Sequence, residues 1–543
     1  MNDSPTTYAR RLLPIRLPRV CVAVTGSDIN EMVEKAESLV RDNPLIEFRL
    51  DYLKNPATAY QRLRRLFEYR PDAIAIATCR RAVNGGKFRG SVAAQLEILT
   101  KAAAAGCQMV DVELETAAAL KPAEIEKLRS RASLILSHHD FRATRKIDET
   151  FDRMKQFPAD FFKVVTTATS LYDNVLMMKF LQQNGDRHSL IGLCMGEQGI
   201  ISRVLGLRAG SAFTFVAASA GEETAPGQIT ARELRDTYRI EQVDAATRVY
   251  GVAGDPVSQS LSPVMMNAAF RRENVNAVYL SLHAKSLDDL LRCVRDIPIH
   301  GLSITMPYKQ AIVEHLDNSD PLTQKVGACN TVVRSQDGKI YGFNTDVAGI
   351  ISPLEQRIAL SGARVLVIGA GGAARAAVFA LRSRNAEVFI LNRTAANAQK
   401  LARQAHAKTV KRADIKKLSF DIIINATPLG MGANKQSPLD EKEIRAKYVF
   451  DLVYNPAETR LMKMARAQGL HVIGGIEMFA NQGARQFEIW TGKPSPKDEM
   501  RYVVSRALED RAASEEKTNG KPAAKAATKA VARTANKTVQ RKK

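Results

Sequence analysis

Short apolar runs alternate with longer mixed segments through the first part of the 543-residue chain. Eight of these runs have the length and the branched or aromatic composition of β-strands. They cover residues 20–25, 45–51, 73–79, 108–114, 134–139, 161–166, 190–195 and 212–216. The intervening segments have helical length, and the segment at 91–105 is rich in Ala and Leu. Eight strands alternating with helices predict a (β/α)8 barrel, closed by a helix over 229–239.

A second α/β region follows the polar segment at 241–247, which we interpret as a linker. Its clearest part is one βαβ unit with strands at 364–368 and 387–391, a glycine turn at 369–372 and a helix at 373–384. The turn satisfies the pattern G-x-G-x-x-G/A where a strand ends and a helix begins. This context favours a dinucleotide site, since the start of the helix can receive a pyrophosphate. The alternative is an ordinary glycine-rich turn.

The second strand of this unit indicates which dinucleotide is bound. It ends at Asn392, Arg393 and Thr394, where an enzyme for NAD usually has an acidic residue against the ribose. An arginine at this position favours the 2′-phosphate of NADP. The alternative is a solvated surface arginine.

A large share of the net charge of +22 lies at the C-terminal end of the sequence. Nine of the 79 basic residues lie in 517–543 without any acid, which leaves 70 against 57 acidic residues elsewhere. Residues 511–543 are rich in Ala, Lys and Thr and have no aromatic residue, so we predict a disordered basic tail. Without aromatic side chains for base stacking, the tail predicts weak polyanion contact and no specific nucleic-acid recognition.

Several function classes are excluded by simpler features of the sequence. The six cysteines lie far apart without a C-x-x-C pair, which argues against a zinc cage and a disulfide framework. His138 and His139 are the only adjacent histidines, and on a strand they point to opposite faces. We therefore predict no metal. No apolar run reaches the length of a membrane span, and residues 1–18 lack a secretory apolar core. The predicted location is the cytoplasm.

Eight short motifs follow one another within residues 250–492. They are G-V-A-G-D-P at 251–256, S-L-S-P at 260–263, S-I-T-M-P-Y-K at 303–309, G-A-C-N-T at 327–331, G-F-N-T-D at 342–346, N-A-T-P-L-G-M at 425–431, D-L-V-Y-N-P at 451–456 and G-I-E-M at 475–478. In combination they resemble shikimate dehydrogenases. The resemblance implies a shikimate-binding α/β domain at 249–350, completed by about 477–508, and a Rossmann NADP domain at 351–476.

The resemblance also implies the site residues of this module. Shikimate carries hydroxyls and a carboxylate, which short hydroxyl and amide side chains can bind. The implied substrate residues are Ser260, Ser262, Thr305, Asn330, Tyr454 and Gln482. Lys309 and Asp346 are the implied catalytic pair, with Lys309 as acid/base for the alkoxide that forms as hydride arrives. The implied cofactor residues are Gly369, Ala370, Gly371, Gly372, Ala373, Asn392, Arg393, Thr394, Thr427, Leu452 and Gly475.

This module departs from the family pattern at two positions. Ser303 stands where many relatives have Asn. Asn397 stands where a second basic residue often binds the 2′-phosphate.

The N-terminal half carries a second set of motifs, at or just beyond the ends of the predicted barrel strands. They are E-F-R at 47–49, T-C-R at 78–80 followed by Gly85-Gly86, D-V-E at 111–113, S-H-H-D-F at 137–141, F-K-V at 162–164, S-R at 202–203 and A-P-G-Q at 225–228. Residues 19–240 thereby resemble type I 3-dehydroquinate dehydratases, whose chemistry lies at that end of the barrel.

This resemblance implies that Lys163 forms an imine with the substrate ketone and that His139 removes the adjacent proton. We expect an apolar setting to lower the pKa of Lys163. The alternatives are a lysine directed outward and a histidine bonded within the core. Arg203 is the implied carboxylate anchor. The other implied substrate residues are Glu47, Arg49, Arg80, Thr224 and Gln228.

One departure lies in the barrel. Asn84 stands where relatives usually have a Glu that positions the histidine. A slower or differently pH-dependent dehydratase is therefore expected.

The two resemblances are chemically consecutive, since the barrel would make 3-dehydroshikimate and the dehydrogenase would reduce it to shikimate. We interpret the chain as a bifunctional enzyme of this kind. Two alternatives stay open. The dehydrogenase could act on quinate, beside a dehydratase weakened by Asn84, or the basic tail could make the chain a polyanion-binding protein.

Overall fold

The computed structural model describes residues 13–14 and 16–519. The described residues divide into two compact units. Unit 1 extends to Pro263 and adds Asn274–Ile312 and Val332–Ile340, while unit 2 holds Val264–Glu273, Val313–Thr331 and the chain from Tyr341. The domain boundaries expected from the sequence stay predictions. Most of the segment at 1–18, on which the predicted location depends, lies outside the described residues.

Eight parallel strands form a sheet in the first part of unit 1. They are β1 (Val20–Val24), β2 (Leu45–Arg49), β3 (Ile74–Thr78), β4 (Met109–Glu113), β5 (Ser133–His139), β6 (Phe161–Thr167), β7 (Leu190–Met195) and β8 (Thr214–Ala217). Their order is β7-β6-β5-β4-β3-β2-β1-β8. β1 pairs with β8 (Cys21↔Phe215), and a bridge joins Leu190 of β7 to Ser211 just before β8. The predicted barrel is confirmed.

The barrel helices follow the strands along the chain, and some of them begin at a side-chain cap. They are α1 (Ile29–Val40), α2 (Tyr60–Tyr69), α3 (Val92–Ala105), α4 (Leu114–Ala117), α5 (Pro122–Arg129), α6 (Ile147–Met154), α7 (Tyr172–Asn184), α8 (Ile200–Leu205) and α9 (Ala231–Asp236). The Asp28 carboxylate accepts backbone N–H bonds at the start of α1, and the Ser91 hydroxyl does so for α3. One apolar cluster takes a residue from every strand and fills the barrel interior.

Unit 1 continues into three further parallel strands, in which β9 (Arg248–Gly254) lies between β10 (Ala277–His283) and β11 (Ile299–Ile304). This part of the chain also contains α11 (Leu287–Asp296) in unit 1 and α10 (Ser262–Arg272), whose residues from Val264 onward belong to unit 2. The Asp289 carboxylate on α11 accepts the backbone N–H groups of Leu171 and Tyr172 at the start of barrel helix α7, at 2.6 and 3.1 Å. A barrel helix is therefore capped by a residue that lies beyond the linker.

Unit 2 contains a doubly wound parallel sheet. Preceding it in the chain are β12 (Asn318–Ser319), α12 (Pro321–Val326), β13 (Thr331–Arg334), β14 (Ile340–Phe343) and α13 (Asp346–Glu355). Its strands are β15 (Arg364–Ile368), β16 (Glu387–Leu391), β17 (Lys408–Thr409), β18 (Ile422–Asn425), β19 (Tyr448–Asp451) and β20 (His471–Ile473), in the order β17-β16-β15-β18-β19-β20. Alternate strand residues enter separate apolar cores on the two faces. The strand order reverses beside β15, where a dinucleotide fold binds its ligand.

The helices of unit 2 include one that corrects a sequence prediction. They are α14 (Gly372–Arg382), α15 (Ala395–Ala405), α16 (Arg412–Ile415), α17 (Arg460–Ala467), α18 (Gly475–Thr491) and α19 (Lys497–Asn519). The tail was expected to be disordered from residue 511, but α19 continues through 511–519. Met500, Val504 and Leu508 bury one helical face at four-residue spacing, and the Ala- and Glu-rich segment after them has high helix propensity. The rest of the tail, 520–543, lies outside the described residues.

No helix within 13–14 and 16–519 is both long enough and apolar enough to cross a membrane.

Candidate active sites

One pocket opens at the carboxyl ends of the barrel strands. All eight barrel residues expected from the sequence line it: Glu47, Arg49, Arg80, His139, Lys163, Arg203, Thr224 and Gln228. They come from different strands and from the loop after β8, so the fold brings together residues up to 181 positions apart (Gln228 minus Glu47). Gly85, Phe141 and Phe215 also line the pocket, although the sequence had given them no role.

Lys163 lies on β6 with only 4% of its surface exposed, which overturns the outward-directed alternative. Its Nζ is 3.0 Å from Asp111 Oδ2 and 3.6 Å from Glu47 Oε1, and it lies 3.7 Å from the centroid of the Phe215 ring. The expectation of an apolar setting was wrong. A buried ammonium is costly unless it is paired, and these carboxylates provide the pairing.

Asp111 is the central residue that the sequence prediction missed. It accepts hydrogen bonds from the Arg80 guanidinium (2.9 Å) and the Ser137 hydroxyl (2.6 Å), in addition to the Lys163 contact. Burial acts to raise the pKa of Asp111, but the charges of Arg80 and Lys163 outweigh it and lower the pKa to about 2. Its place in D-V-E at the end of β4 was the available signal.

His139 contacts the same arginine. Arg80 Nη1 is 2.9 Å from His139 Nδ1. Because a guanidinium can only donate, Nδ1 must accept, and the neutral ring then carries its proton on Nε2. Desolvation in the pocket, followed by the positive charges of Arg80 and Lys163, lowers the pKa of His139 well below its ordinary 6.5. The ring stacks on Phe141, with 6.0 Å between centroids.

The two other arginines of the pocket differ in the groups that surround their positive charge. Arg49 forms two hydrogen bonds to the Asp51 carboxylate, at 3.0 and 2.9 Å. Arg203 is buried and donates only to the carbonyls of Phe215 and Pro226, its Nε has no hydrogen-bond partner, and no described carboxylate pairs with it. Burial lowers the pKa of Arg203 to about 10. A carboxylate ligand would compensate this charge, which fits the expected anchor.

The loop after β8 presents Thr224 and Gln228 in a fixed arrangement. Gln228 Oε1 accepts the Thr224 backbone N–H at 2.7 Å and its hydroxyl at 3.2 Å. Gly227 has a φ of +69°, and a Cβ there would lie 2.2 Å from the Gly196 carbonyl oxygen. The loop is therefore packed directly on the backbone that follows β7.

Four expected residues of the dehydrogenase lie in unit 1, on the segments after β9 and β11. The Ser262 backbone N–H donates to the Ser260 hydroxyl at 3.2 Å, and the Thr305 N–H donates to the Ala253 carbonyl at 2.9 Å. Lys309 lies four residues beyond Thr305 and is half-buried. The hydrogen bonds around these segments hold their hydroxyl side chains at the carboxyl end of the sheet.

The structure also shows the position of Ser303, the serine that stands where many relatives have Asn. Ser303 is buried on β11, where its hydroxyl accepts a hydrogen bond from the Tyr279 hydroxyl at 2.5 Å.

In unit 2, Asn330 joins two of the other expected residues. Its Nδ2 donates to Asp346 Oδ1 at 2.8 Å and lies 3.5 Å from Gln482 Oε1. Asp346 is the first residue of α13, and Gln482 lies on α18. Tyr454 stacks on Phe479 of the same helix, with 4.3 Å between ring centroids. The contacts of Asn330 make one polar cluster of buried carboxylate and amide groups.

The glycine turn after β15 leaves room for a phosphate group. Gly369 has a φ of +122°, and a Cβ there would lie 2.8 Å from the Ala426 carbonyl oxygen. Gly371 caps α14 and has no atom within 4 Å of its Cβ position. Ala370, Gly372 and Ala373 complete this strand-to-helix turn. An open space before a helix N-terminus fits a pyrophosphate.

The ends of neighbouring strands supply the other expected cofactor residues. Thr427 donates twice to Asn425 Oδ1, Leu452 N–H donates to the Asn425 carbonyl, and a Cβ on Gly475 would lie 2.4 Å from the Val453 carbonyl oxygen. After β16, Asn392 Nδ2 donates to the Thr394 carbonyl. Arg393 between them is exposed and has no ion-pair partner within the described ranges. The donors present fit NADP.

Comparison with known proteins extends over the same regions. The type I 3-dehydroquinase family matches residues 20–245, and the shikimate dehydrogenase substrate binding domain matches 252–332. The shikimate/quinate 5-dehydrogenase family matches 353–451, and the shikimate 5′-dehydrogenase C-terminal domain matches 475–504. These matches follow one another in the order of the two modules.

Among individual relatives, a bifunctional 3-dehydroquinate dehydratase/shikimate dehydrogenase named chloroplastic, from Arabidopsis thaliana, is 33% identical over 521 residues, which is 90% of this chain and 84% of the relative. A shikimate dehydrogenase (NADP(+)) from Shouchella clausii is 39% identical over 48% of this chain and 99% of its own. The solved shikimate 5-dehydrogenase of Thermus thermophilus, in complex with NADP(H) and shikimate, is 36% identical over 48% of this chain and 100% of its own, with a TM-score of 0.45.

A dehydroquinase barrel followed by a shikimate dehydrogenase defines a chain with a lyase half and an oxidoreductase half. With a relative that is 33% identical over 84% of its length, the chain belongs to the family of bifunctional 3-dehydroquinate dehydratase/shikimate dehydrogenases.

Proposed function

We propose that the barrel dehydrates 3-dehydroquinate to 3-dehydroshikimate and that the second module reduces this product to shikimate with NADPH. This is the shikimate pathway of aromatic amino acid biosynthesis. One observation carries the proposal. The buried Lys163 lines the same pocket as Arg203, a buried arginine with which no described carboxylate pairs.

In the proposed dehydration, Arg203 binds the substrate carboxylate and Lys163 attacks the ketone. Asp111 and Glu47 are close enough to take protons from the ammonium, and loss of water leaves an imine. His139 then removes the adjacent proton and passes it to the neighbouring hydroxyl, which departs as water. Hydrolysis of the imine by another water frees Lys163. His139 needs a free ring nitrogen for this step. We infer that the substrate hydroxyls draw Arg80 away from Nδ1, which gives Arg80 its expected substrate role.

In the proposed reduction, bound NADPH supplies a hydride to the ketone carbon. Gly371 and the start of α14 would hold its pyrophosphate, and Arg393 its 2′-phosphate. Lys309 is proposed to protonate the developing alkoxide, with Asp346 as its partner. Asn330 holds the Asp346 carboxylate in place. Ser260, Ser262, Thr305, Tyr454 and Gln482 are proposed to bind the hydroxyls and carboxylate of the substrate.

A single assay tests both halves. Full-length protein with 3-dehydroquinate and NADPH should produce enone absorbance and consume NADPH, with shikimate as the product. Omitting NADPH should stop the reaction at 3-dehydroshikimate. Failure to form the enone would refute the dehydratase proposal, and failure to reduce added 3-dehydroshikimate would refute the dehydrogenase proposal. Quinate with NADP in place of shikimate tests the alternative substrate.

The acid limb of the dehydratase pH profile is expected at unusually low pH. Neutral His139 is the proposed base, and its pKa is lowered well below 6.5 by desolvation and by Arg80 and Lys163. As pH falls through 6.5 the base therefore stays neutral, and kcat/KM should decline only at distinctly lower pH. Arg80→Gln removes one of these charges and should move the limb to higher pH, whatever its effect on the plateau. A limb centred at 6.5 in both proteins would contradict the assignment.

The basic tail is proposed to contact polyanions weakly without contributing to catalysis. Deletion of residues 520–543 removes eight basic side chains and no acid. Both activities and the thermal midpoint should stay unchanged, while retention on heparin at low salt should fall because fewer charges displace counterions. Loss of either activity in the shortened protein would contradict this role.

The cytoplasmic location also stays a proposal, which fractionation of the source cells would test.

A further inference from the structure

Asn84, which stands where relatives of the barrel usually have Glu, makes a specific contact. Asn84 Nδ2 donates to Glu115 Oε2 at 2.8 Å, and Glu115 Oε1 lies 3.5 Å from His138 Nδ1. Contact with His138 is the main reason that the pKa of Glu115 is lowered. Glu115 lies on α4, directly after β4, and thus joins the turn that carries Asn84 to the strand that carries His138.

The turn at 81–86 supports the face of the catalytic pocket that holds His139. Gly85 has a φ of +79°, and a Cβ there would lie 2.1 Å from the Phe141 ring. A Cβ on Gly86 would lie 2.1 Å from the Arg80 carbonyl oxygen. The turn therefore packs directly beneath Phe141, which stacks on His139, and against Arg80, which contacts His139 Nδ1.

No carboxylate contacts the His139 ring in the part of the chain that the structure describes. Its ring is held by Arg80 and Phe141, and both rest on the turn at 81–86. We propose that Asn84 and Glu115 are a positioning pair that fixes this turn and thereby orients His139 for proton removal. The proposal rests on the catalytic role of His139 in the proposed dehydratase.

The chemistry of the pair explains why an amide stands at position 84. A carboxylate there would lie 2.8 Å from the Glu115 oxygen, at the distance where two carboxylates repel or share a proton. An amide donates a hydrogen bond instead. Asn84 therefore supplies the hydrogen-bond donor and Glu115 the acceptor. The carboxylate that holds the turn comes from α4.

The test uses the full chain with four variants: Glu115→Ala, Glu115→Gln, Asn84→Asp and the double variant Asn84→Asp/Glu115→Gln. The first removes the acceptor, and the third brings two carboxylates together. Both should lower the dehydratase kcat by about tenfold to a hundredfold, the effect of misplacing a reacting group by a fraction of an ångström or more. KM should change little, because Arg203 and Gln228 are untouched. Glu115→Gln keeps an acceptor for Asn84 and should lose less than Glu115→Ala.

The double variant distinguishes a loss of the hydrogen bond that positions His139 from a general loss of barrel structure. The amide that it introduces at position 115 can donate to the carboxylate that it introduces at position 84, which restores the hydrogen bond with its direction reversed. Recovery of kcat to near the unmodified value would support the proposal. Unchanged kcat in both Glu115→Ala and Asn84→Asp would overturn it, as would a loss that the double variant fails to recover.

Controls separate this proposal from the proposed function. Glu34→Ala changes an exposed glutamate on α1 and should leave the dehydratase unaffected. Shikimate oxidation by the same preparations reports on the integrity of the other half. If the unmodified chain does not dehydrate 3-dehydroquinate, the proposed function itself is refuted. If the unmodified chain is active and the variants keep its kcat, only the positioning pair is refuted.

Discussion

Lys163→Ala is expected to abolish dehydration of 3-dehydroquinate and to leave shikimate oxidation intact. The proposed imine requires the Lys163 amine, and no other lysine among the described residues lines the pocket. Borohydride added with 3-dehydroquinate should trap a covalent adduct on the peptide that contains Lys163, as identified by mass spectrometry. The dehydrogenase assay on the same protein reports on the integrity of the other half, and circular dichroism shows whether the barrel survives the loss of a buried ion-pair partner.

Two further variants make this test specific. Lys163→Met keeps an unbranched side chain in the buried position and should be equally inactive, so that inactivity is not due to a cavity. Lys155→Ala removes an exposed lysine near the end of α6 and should remain active. Adduct formation on another peptide, or an active dehydratase without any adduct, would contradict the imine.

Arg393→Ala is expected to raise the Michaelis constant for NADP by roughly ten- to a hundredfold and to leave that for NAD nearly unchanged. Loss of a guanidinium–phosphate contact costs about 1.5–3 kcal/mol, the range for hydrogen bonds to charged groups, and each 1.4 kcal/mol corresponds to about tenfold in affinity. Arg393 follows β16 and has no competing ion pair among the described residues. Initial rates of shikimate oxidation with each cofactor measure the effect.

The control for this variant is Arg403→Ala, since Arg403 is an exposed arginine near the other end of α15. Its cofactor preference should match that of the unmodified chain. Equal losses with NADP and NAD in Arg393→Ala would mean that this residue supports the turn and does not bind the 2′-phosphate.

Local sequence patterns were sufficient where one short segment decides the structure. The strands at 364–368 and 387–391 have the predicted bounds because each is an apolar run ended by Gly, Asn or charged residues. The eight barrel strands were found for the same reason. The expected pocket residues of the barrel converge because parallel strands place their carboxyl ends at one end of the barrel.

Contacts between distant segments could not be predicted in this way. Lys163 was expected in an apolar setting because its neighbours on β6 are apolar, but Asp111 is 52 positions away on β4. Asn84 looked like the loss of a functional residue, because its partner Glu115 lies on another element. Such pairs depend on the assembled barrel.

The Asp289 cap bears on whether the barrel is structurally independent of the segment that follows it. Two enzymes joined by a linker could in principle be separated again without harm to either. Here the segment after the linker completes the hydrogen bonding of Leu171 and Tyr172 in the barrel, and Lys179 of α7 pairs with Asp296 at 2.6 Å. Loss of a helix cap costs about 1 kcal/mol. A barrel expressed alone would lack this carboxylate and is expected to be less stable by about that amount.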